Sequence, residues 1–341
     1  MNLLSAVRHL SSGGHFSEVQ STQLLSELVE NDPDPAVVGA VLMALRLKAE
    51  TPEELRGFSS AMTALYRGLD EPHEAGSKRV DICGFGPRDS RSPGISIGVG
   101  LLSVACGLDV VSQAGLSYMS GTVSEHFLAR LGLSLSNDTV QAGIQLQRAG
   151  FCLFPAGSFH PAMEQIFSIS RSLDITGVFD VAQALSNPGR PRYLSIGADS
   201  PKRARLIAEA LVQTDVCRAF VMHGSDGWGT ATSVGPFRLW DVCSGRISES
   251  EREPADWGFP QCVSEDLIEG DAFVQADRLA AVFRCRDSGP YRDTLVLGTG
   301  LVLELCGIVH EIQEGIVLAR QALDDGRAFG VLEQLRTPDV T

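Results

Sequence analysis

Four short stretches of this 341-residue chain combine residue types that could do chemistry. GFGPRDSRSPG (84–94) follows an apolar run and precedes a helix of small residues. Gly84 and Gly86 let backbone amides approach a ligand, and amides at a helix N-terminus favour an anion. Arg88 and Arg91 could add charge-assisted hydrogen bonds, with Asp89 and Ser96 as further polar groups. In the competing account the glycines only turn the chain and the arginines are solvated. The stretch lacks the Lys-Ser/Thr ending of a phosphate loop and is not a full dinucleotide fingerprint. HPAM (160–163) sets His160 just before a helix start, where a neutral imidazole could face a ligand carboxylate or carry a proton. A structural, cap-like histidine competes with that reading. SYMSGTVSEH (117–126) brings Tyr118, Ser120 and Glu125 near His126, a candidate proton-transfer group. Neighbours on a helix point about 100° apart, so a plain surface role competes there. HGSDGWGT (223–230) offers His223 and Asp226 at a strand end, with no second carboxylate close by to hold magnesium. No Gly-x-Ser-x-Gly elbow occurs, so no hydrolase triad is indicated.

The elements that must position these residues fall into two kinds. The first 70 residues read as helices only. Ser21 to Glu30 is amphipathic, Pro33 and Pro35 interrupt it, and Ala36 to Leu47 follows as an apolar helix. Thr51-Pro52-Glu53-Glu54 has the form of a capping box with proline in the first turn, and Leu55, Phe58, Met62 and Leu65 line one side of the helix it starts. From Arg79 the pattern becomes strand then helix. Strands are expected at 80–85, 108–114, 151–155, 192–198 and 217–223, with helices between them, such as 124–131 and 201–212. That alternation predicts an α/β fold with a mainly parallel central sheet covered on both faces. TATSVGPFRLWDV (230–242) reads as hairpin-like, and helices follow at 276–284, 291–306, 312–323 and 327–335. The expected division is a small helical domain over 1–72, joined by helices within about 160–186, and a large α/β domain over 73–341.

Composition narrows the partners. The length gives room for roughly two domains' worth of core. Hydrophobic residues make up 44% and charged residues 21%, as in soluble globular chains. The net charge of −14 argues against coating nucleic acid, which needs clustered cations, and against docking on anionic lipid. The longest uncharged apolar stretch, Ile95 to Leu108, is shorter than the about 20 residues a membrane span needs. The N-terminal MNLLSAVRHLSSGG lacks a continuous apolar core and a cleavage site, so no signal peptide is expected. Eight dispersed cysteines, none within four residues of another, suit buried free thiols in a reducing cytoplasm.

Taken in order, several stretches resemble the anthranilate phosphoribosyltransferase family, and the likeness covers nearly the whole chain. GAVLMALRLKAETPEELRGFSSAM (39–62) is similar to that family's helical segment. DICGFG (81–86) falls at its donor loop, and FPAGSFHPAME (154–164) at its acceptor-side His-Pro-Ala-Met segment. SNPGRP (186–191) matches an Asn-Pro turn, VMHGSDGWG (221–229) the strand leading to the metal acids, and GDAFVQADRLAAVF (270–283) a later helix. The resemblance implies a helical domain plus an α/β domain, as in nucleoside-phosphorylase-type folds. It also implies a homodimer through the N-terminal helices, and magnesium-dependent transfer of phosphoribose from 5-phosphoribosyl-1-pyrophosphate to anthranilate.

The likeness stops at the donor motifs. Where the family has Gly-Thr-Gly-Gly-Asp, this chain has Gly84-Phe85-Gly86-Pro87-Arg88; Pro87 removes one amide donor outright. Asn-Ile-Ser-Thr becomes Gly94-Ile95-Ser96-Ile97. Lys-His-Gly-Asn-Arg becomes Ser112-Gln113-Ala114-Gly115-Leu116, and Ser-Ser-Lys becomes Met119-Ser120-Gly121. The magnesium-holding Asp-Glu pair becomes Gly229-Thr230, and Leu-Gly-Pro-Leu becomes Ala182-Gln183-Ala184-Leu185. Arg171 lies one position from the family's acceptor-side arginine. Each lost charged contact removes on the order of 2–4 kcal/mol of transition-state stabilisation. The expectation is therefore a repurposed, magnesium-independent enzyme of specialised metabolism. Its ligand would be a small aromatic or carboxylate-bearing molecule, with neither magnesium nor the phosphoribosyl donor as cofactor. His126, Arg88 and Tyr118 are its catalytic candidates. Gly84, Gly86, Asp89, Arg91, Ser96, Gln113, Ser120, His160, Arg171 and Gln183 are its ligand-binding candidates, with no metal ligand. Two alternatives stay open: a glycosyl or phosphoribosyl transferase with an altered donor mode, and a non-catalytic ligand-binding homologue.

Overall fold

The computed structural model describes residues 2–30, 33–69, 78–92, 94–114, 125–173, 177–268 and 270–336. Four helices open the chain: α1 (Leu3–Ser11), α2 (Glu18–Val29), α3 (Pro35–Lys48) and α4 (Pro52–Leu65). The capping box forms as its sequence predicts: Thr51 Oγ1 accepts the Glu54 N–H at 3.2 Å, and Glu54 Oε2 accepts the Thr51 N–H at 3.0 Å. Glu54 is fully buried and also accepts from the Phe16 N–H and from Lys48 Nζ at 2.6 Å. One carboxylate thus fastens the start of α4 to α3 and to the segment entering α2, and it is paired on each side, as a buried charge must be.

The α/β part begins with β1 (Arg79–Gly84), α5 (Gly94–Ala105), β2 (Asp109–Ala114), α6 (Glu125–Leu131), α7 (Thr139–Ala149) and β3 (Phe151–Pro155). The chain then leaves the sheet through α8 (Ala156–Phe159), α9 (Glu164–Leu173) and α10 (Val178–Leu185). The latter two pack beside the opening helices, α9 on α3 and α10 on α4. It returns as β4 (Tyr193–Gly197), α11 (Pro201–Leu211) and β5 (Arg218–His223), then the hairpin β6 (Phe237–Cys243) and β7 (Arg246–Arg252). Helices α12 (Ala272–Phe283), α13 (Pro290–Leu305), α14 (Ile312–Asp324) and α15 (Arg327–Leu335) close the chain.

Among the described residues, seven strands lie in the order β3-β2-β1-β4-β5-β6-β7. β1 to β5 are parallel, and β6 and β7 add an antiparallel edge. Alternating side chains of β5 feed two cores. Phe220 and Met222 join α5 and α12–α15, whereas Ala219 and Val221 join α11 and the opening helices. The sheet is thus buried on both faces, as the apolar strands require. The hairpin reading is shifted: Thr230 to Pro236 is loop, and its second strand is RISESER, mostly exposed. Its polar composition gave no strand signal because an edge strand buries little.

β1 leads to β2 on one side, and β4 leads to β5 on the other. The order therefore reverses between β1 and β4, and a crevice opens beyond their C-terminal ends. Loop 85–92 and the loop after β5 both meet there. Below, the Asn-Pro turn locks the strands. Asn187 donates to Asp81 Oδ2 at 2.7 Å and to the Val111 carbonyl at 3.1 Å. A Cβ on Gly189 would strike the Val111 side chain. Burial pushes the Asp81 carboxyl up to about 7 against the pull of the Asn187 hydrogen bond.

Candidate functional site

At the head of β1 the chain turns through Gly84, Phe85 and Gly86 and folds Asp89 back over the turn. Asp89 Oδ2 accepts the N–H groups of Gly86 at 2.8 Å and Gly229 at 2.7 Å. Oδ1 accepts the Thr230 hydroxyl at 2.7 Å and the Thr230 N–H at 3.3 Å. The Phe85 N–H reaches across to the Gly197 carbonyl on β4 at 2.9 Å. Glycine is required by closeness: a Cβ on Gly86 would strike Asp89 Oδ2 and the Gly229 amide, and one on Gly229 would lie 2.6 Å from Oδ2. Burial raises the Asp89 carboxyl's pKa, and its four donors pull it back down.

Arg88 bolts the same two loops from outside. Its Nε donates to the Asp226 carbonyl at 3.1 Å and its Nη2 to the Asp226 carboxylate at 3.2 Å, and Glu265 lies 3.5 Å from Nη1. Ser264 donates to the same Asp226 carboxylate and accepts from Trp228 Nε1 at 3.1 Å. Asp226 stands at φ +53°, so the tip of this loop is held in the left-handed region by its partners. Arg88 is therefore engaged by two carboxylates. Arg91 is exposed, and its backbone carbonyl, not its guanidinium, makes the contact to Gln275. Ser96 sits half-buried in the first turn of α5.

The other side of the crevice, beyond β2 and β3, is different. Gln113 on β2 donates to the Gln183 carbonyl at 3.1 Å, and its Oε1 is buried with no partner among the described residues. Both amide atoms of the Gln183 side chain are likewise buried and unpartnered there. His160 is 1% exposed, and neither ring nitrogen has a partner among the described residues. Its ring meets the Tyr66 ring edge-on at 6.1 Å, and the preceding Phe159 packs on Phe154 at 4.6 Å. Burial drives the His160 imidazole down to about 4, so it is neutral near pH 7. Its two nitrogens then offer one donor and one acceptor.

The remaining predicted residues lie apart. His126 is exposed on α6, with its ring 5.6 Å from that of Phe273. Arg171 is exposed on α9 and paired with Glu164 at 3.3 Å. Tyr118 and Ser120 fall outside the described residues. Among the described residues no contact joins the candidate site residues Arg88, His126 and His160. The sequence reading missed the structural importance of Thr230, Ser264 and Tyr66. Glycine followed by threonine gave no hint of a carboxylate partner, and Ser264 and Tyr66 come from segments far away in sequence.

The magnesium implied by the family resemblance can be tested against these donors. Gly229 and Thr230 present N–H groups toward the crevice, already bound to Asp89, where a divalent cation needs oxygen acceptors. Among the described residues no group of three or more His, Cys, Asp or Glu side chains could hold a metal ion. The described residues here do not fit one. A cleft of about 630 Å³, walled in part by Arg56, Thr63, Tyr66, Arg190 and Thr214, lies toward the opposite ends of β4 and β5. Arg56 there is paired with Glu18 and Glu53, and Arg190 with the Tyr66 hydroxyl. The candidate site is therefore placed by its unpartnered buried groups and not by that cleft. No described helix is long and apolar enough to cross a membrane.

Known proteins align along nearly the whole chain. Residues 4–65 match the helical bundle domain of a glycosyl transferase family, and residues 76–329 match its a/b domain. Anthranilate phosphoribosyltransferase of Rhodopirellula baltica is 29% identical over 98% of this chain and 97% of its own length. That of Desulforudis audaxviator is 30% identical over 97% and 94%. The crystal structure of the Thermus thermophilus enzyme superposes with a TM-score of 0.85 at 25% identity, covering 97% of this chain and 99% of that one. The Saccharomyces cerevisiae enzyme in complex with PRPP and Mg shares the fold, with a TM-score of 0.86 at 20% identity over 98% and 96%. With both of its parts matched, in order and nearly end to end, the chain belongs to the anthranilate phosphoribosyltransferase family.

Proposed function

We propose that this family member is an enzyme acting on a small aromatic or carboxylate-bearing molecule, bound on the side of His160, Gln113 and Gln183. In this reading its chemistry is magnesium-independent and repurposed for specialised metabolism. The observation that carries it is the set of buried polar atoms without partners. An unpaired buried polar atom costs about 1–3 kcal/mol, so a site that keeps several of them gains by receiving a ligand with matching groups. Gln183 Nε2 and one imidazole N–H can donate to a carboxylate. The other imidazole nitrogen and the Gln113 and Gln183 carbonyl oxygens can accept from an amine or hydroxyl. A neutral His160 can take up a proton released in the reaction, at the nitrogen that faces the ligand. The aromatic rings of Tyr66, Phe154 and Phe159 give the neighbourhood an apolar wall.

Among the described residues opposite, a magnesium–pyrophosphate donor would have to displace Asp89 from the N–H groups and Asp226 and Glu265 from Arg88. The protein is further proposed to act in the cytoplasm and to dimerise through its N-terminal helices, where Leu4, Val19 and Leu47 are 54%, 67% and 80% exposed.

The test is a titration with benzoate and 2-aminobenzoate, followed by thermal unfolding, of the wild type, His160→Phe and Gln183→Leu. The wild type is expected to gain a few degrees and both variants to lose the gain. Absence of any gain, or an equal gain in all three, rejects the reading. A gain with 5-phosphoribosyl-1-pyrophosphate and magnesium would favour the alternative, a transferase with an altered donor mode.

A further inference from the structure

The turn at the head of β1 is built like an anion site, and its anion belongs to the chain. Three backbone N–H groups and one hydroxyl converge on the Asp89 carboxylate at 2.7–3.3 Å. All four are donors, and no cation touches Asp89 among the described residues. Gly84, Gly86 and Gly229 leave room for that carboxylate and for little else: a Cβ on Gly84 would lie 2.9 Å from Asp89 Cγ, and Cβ atoms on the other two would strike Oδ2. Convergent amides of this kind bind oxyanions in general. Asp89 is 8% exposed and comes from the 3₁₀ turn immediately after the cradle. A group tethered so closely acts at an effective concentration of about millimolar or more, so a free anion must displace it.

We propose that Asp89 is the resident anion of this cradle and keeps it closed to phosphate and pyrophosphate groups, so that replacing Asp89 with glycine opens a binding site for inorganic pyrophosphate. Asp89 thereby sets the specificity of the crevice against phosphorylated ligands. This deepens the functional reading above and rests on it only for the statement that the natural ligand is unphosphorylated.

The experiment titrates wild type, Asp89→Gly and the double variant Asp89→Gly/Gly86→Ala with inorganic pyrophosphate, without metal, by calorimetry and thermal unfolding. Asp89→Gly is expected to bind about tenfold to a hundredfold more tightly than wild type, the range for charged hydrogen bonds gained. Its unfolding temperature should rise with pyrophosphate. The Gly86→Ala change should cancel both effects, because its Cβ fills the cradle. A folded Asp89→Gly protein that binds no more tightly than wild type overturns the proposal. The wild-type arm decides even if the variants do not fold. Pyrophosphate that slows hydrogen exchange of Gly86, Gly229 and Thr230 in the wild type overturns the proposal, and unchanged exchange there supports it. Titration of the wild type with 2-aminobenzoate separates the two readings. Failure there with the expected pyrophosphate results removes the functional reading and leaves the cradle.

Discussion

The two sides of the crevice treat their central polar groups differently. Beyond β1 and β5, the loops bond to each other: Asp89 takes four donors, Arg88 takes Asp226, and Ser264 closes the set. Beyond β2 and β3, His160, Gln183 and Gln113 keep buried atoms with no partner among the described residues. The same sheet supports both, so the difference comes from side chains and not from fold. A region whose donors and acceptors pair internally gains stability and offers little to a ligand. A region that leaves them open gives up stability for binding.

That contrast can be broken most strongly at Asp89. Asp89→Ala leaves three inward N–H groups unpaired, and we expect a loss of about 3 kcal/mol and a fall of roughly 5 °C in unfolding temperature. A change within about 1 °C would show that the carboxylate does not hold the loops. Asp81, between the two regions, tests the buried-charge logic. Its carboxyl titrates near 7 in the fold but near its ordinary value of 3.8 unfolded. The folded state therefore holds the proton more tightly, so this contribution is fully present below pH 3.8 and is lost as pH rises to about 7. Asp81→Asn should raise the unfolding temperature at about pH 8 and flatten the slope of denaturant unfolding between about pH 4 and 7.

On the open side the signs differ. His160 titrates near 4 folded against 6.5 unfolded, so the unfolded chain binds the proton first as pH falls. Stability from the neutral imidazole is full above pH 6.5 and is lost toward pH 4, and His160→Phe should remove that acid-side loss. Gln183→Leu should stabilise the ligand-free protein by about 1–3 kcal/mol, since it removes two unpaired buried atoms. A destabilisation as large as that of Asp89→Ala would mean that Gln183 is already bonded. The smallest effect is expected at Arg88. Its partners are half-exposed or more, so Arg88→Ala should cost about 1 kcal/mol or less, and less at high salt.

The fold was readable in the sequence where periodicity and caps agree. The capping box at Thr51 and Glu54, the strands at 151–155 and 217–223, and the last helix at 327–335 stand close to where the pattern puts them. β7 was not readable, because an exposed edge strand lacks the alternation of a buried one. At the candidate site, residue type singled out Gly86, Asp89, His160, Gln113 and Gln183, but not their states. Asp89 counts as one more polar group until the fold brings Gly229 and Thr230 from 140 and 141 positions away. Arg88 looks like a free cation until Asp226 and Glu265 meet it. The openness of Gln183 and His160 is a property of packing, which no local pattern records.

The most direct measurement is thermal unfolding of the wild-type protein with and without 5-phosphoribosyl-1-pyrophosphate plus magnesium. A ligand at about 100 times its dissociation constant adds about 2.7 kcal/mol, or roughly 3–6 °C for a chain of this length. The account predicts no rise with that pair and a rise with an aromatic acid alone. A rise of that size with the phosphoribosyl donor and magnesium would contradict it, because the cradle would then have exchanged Asp89 for the donor.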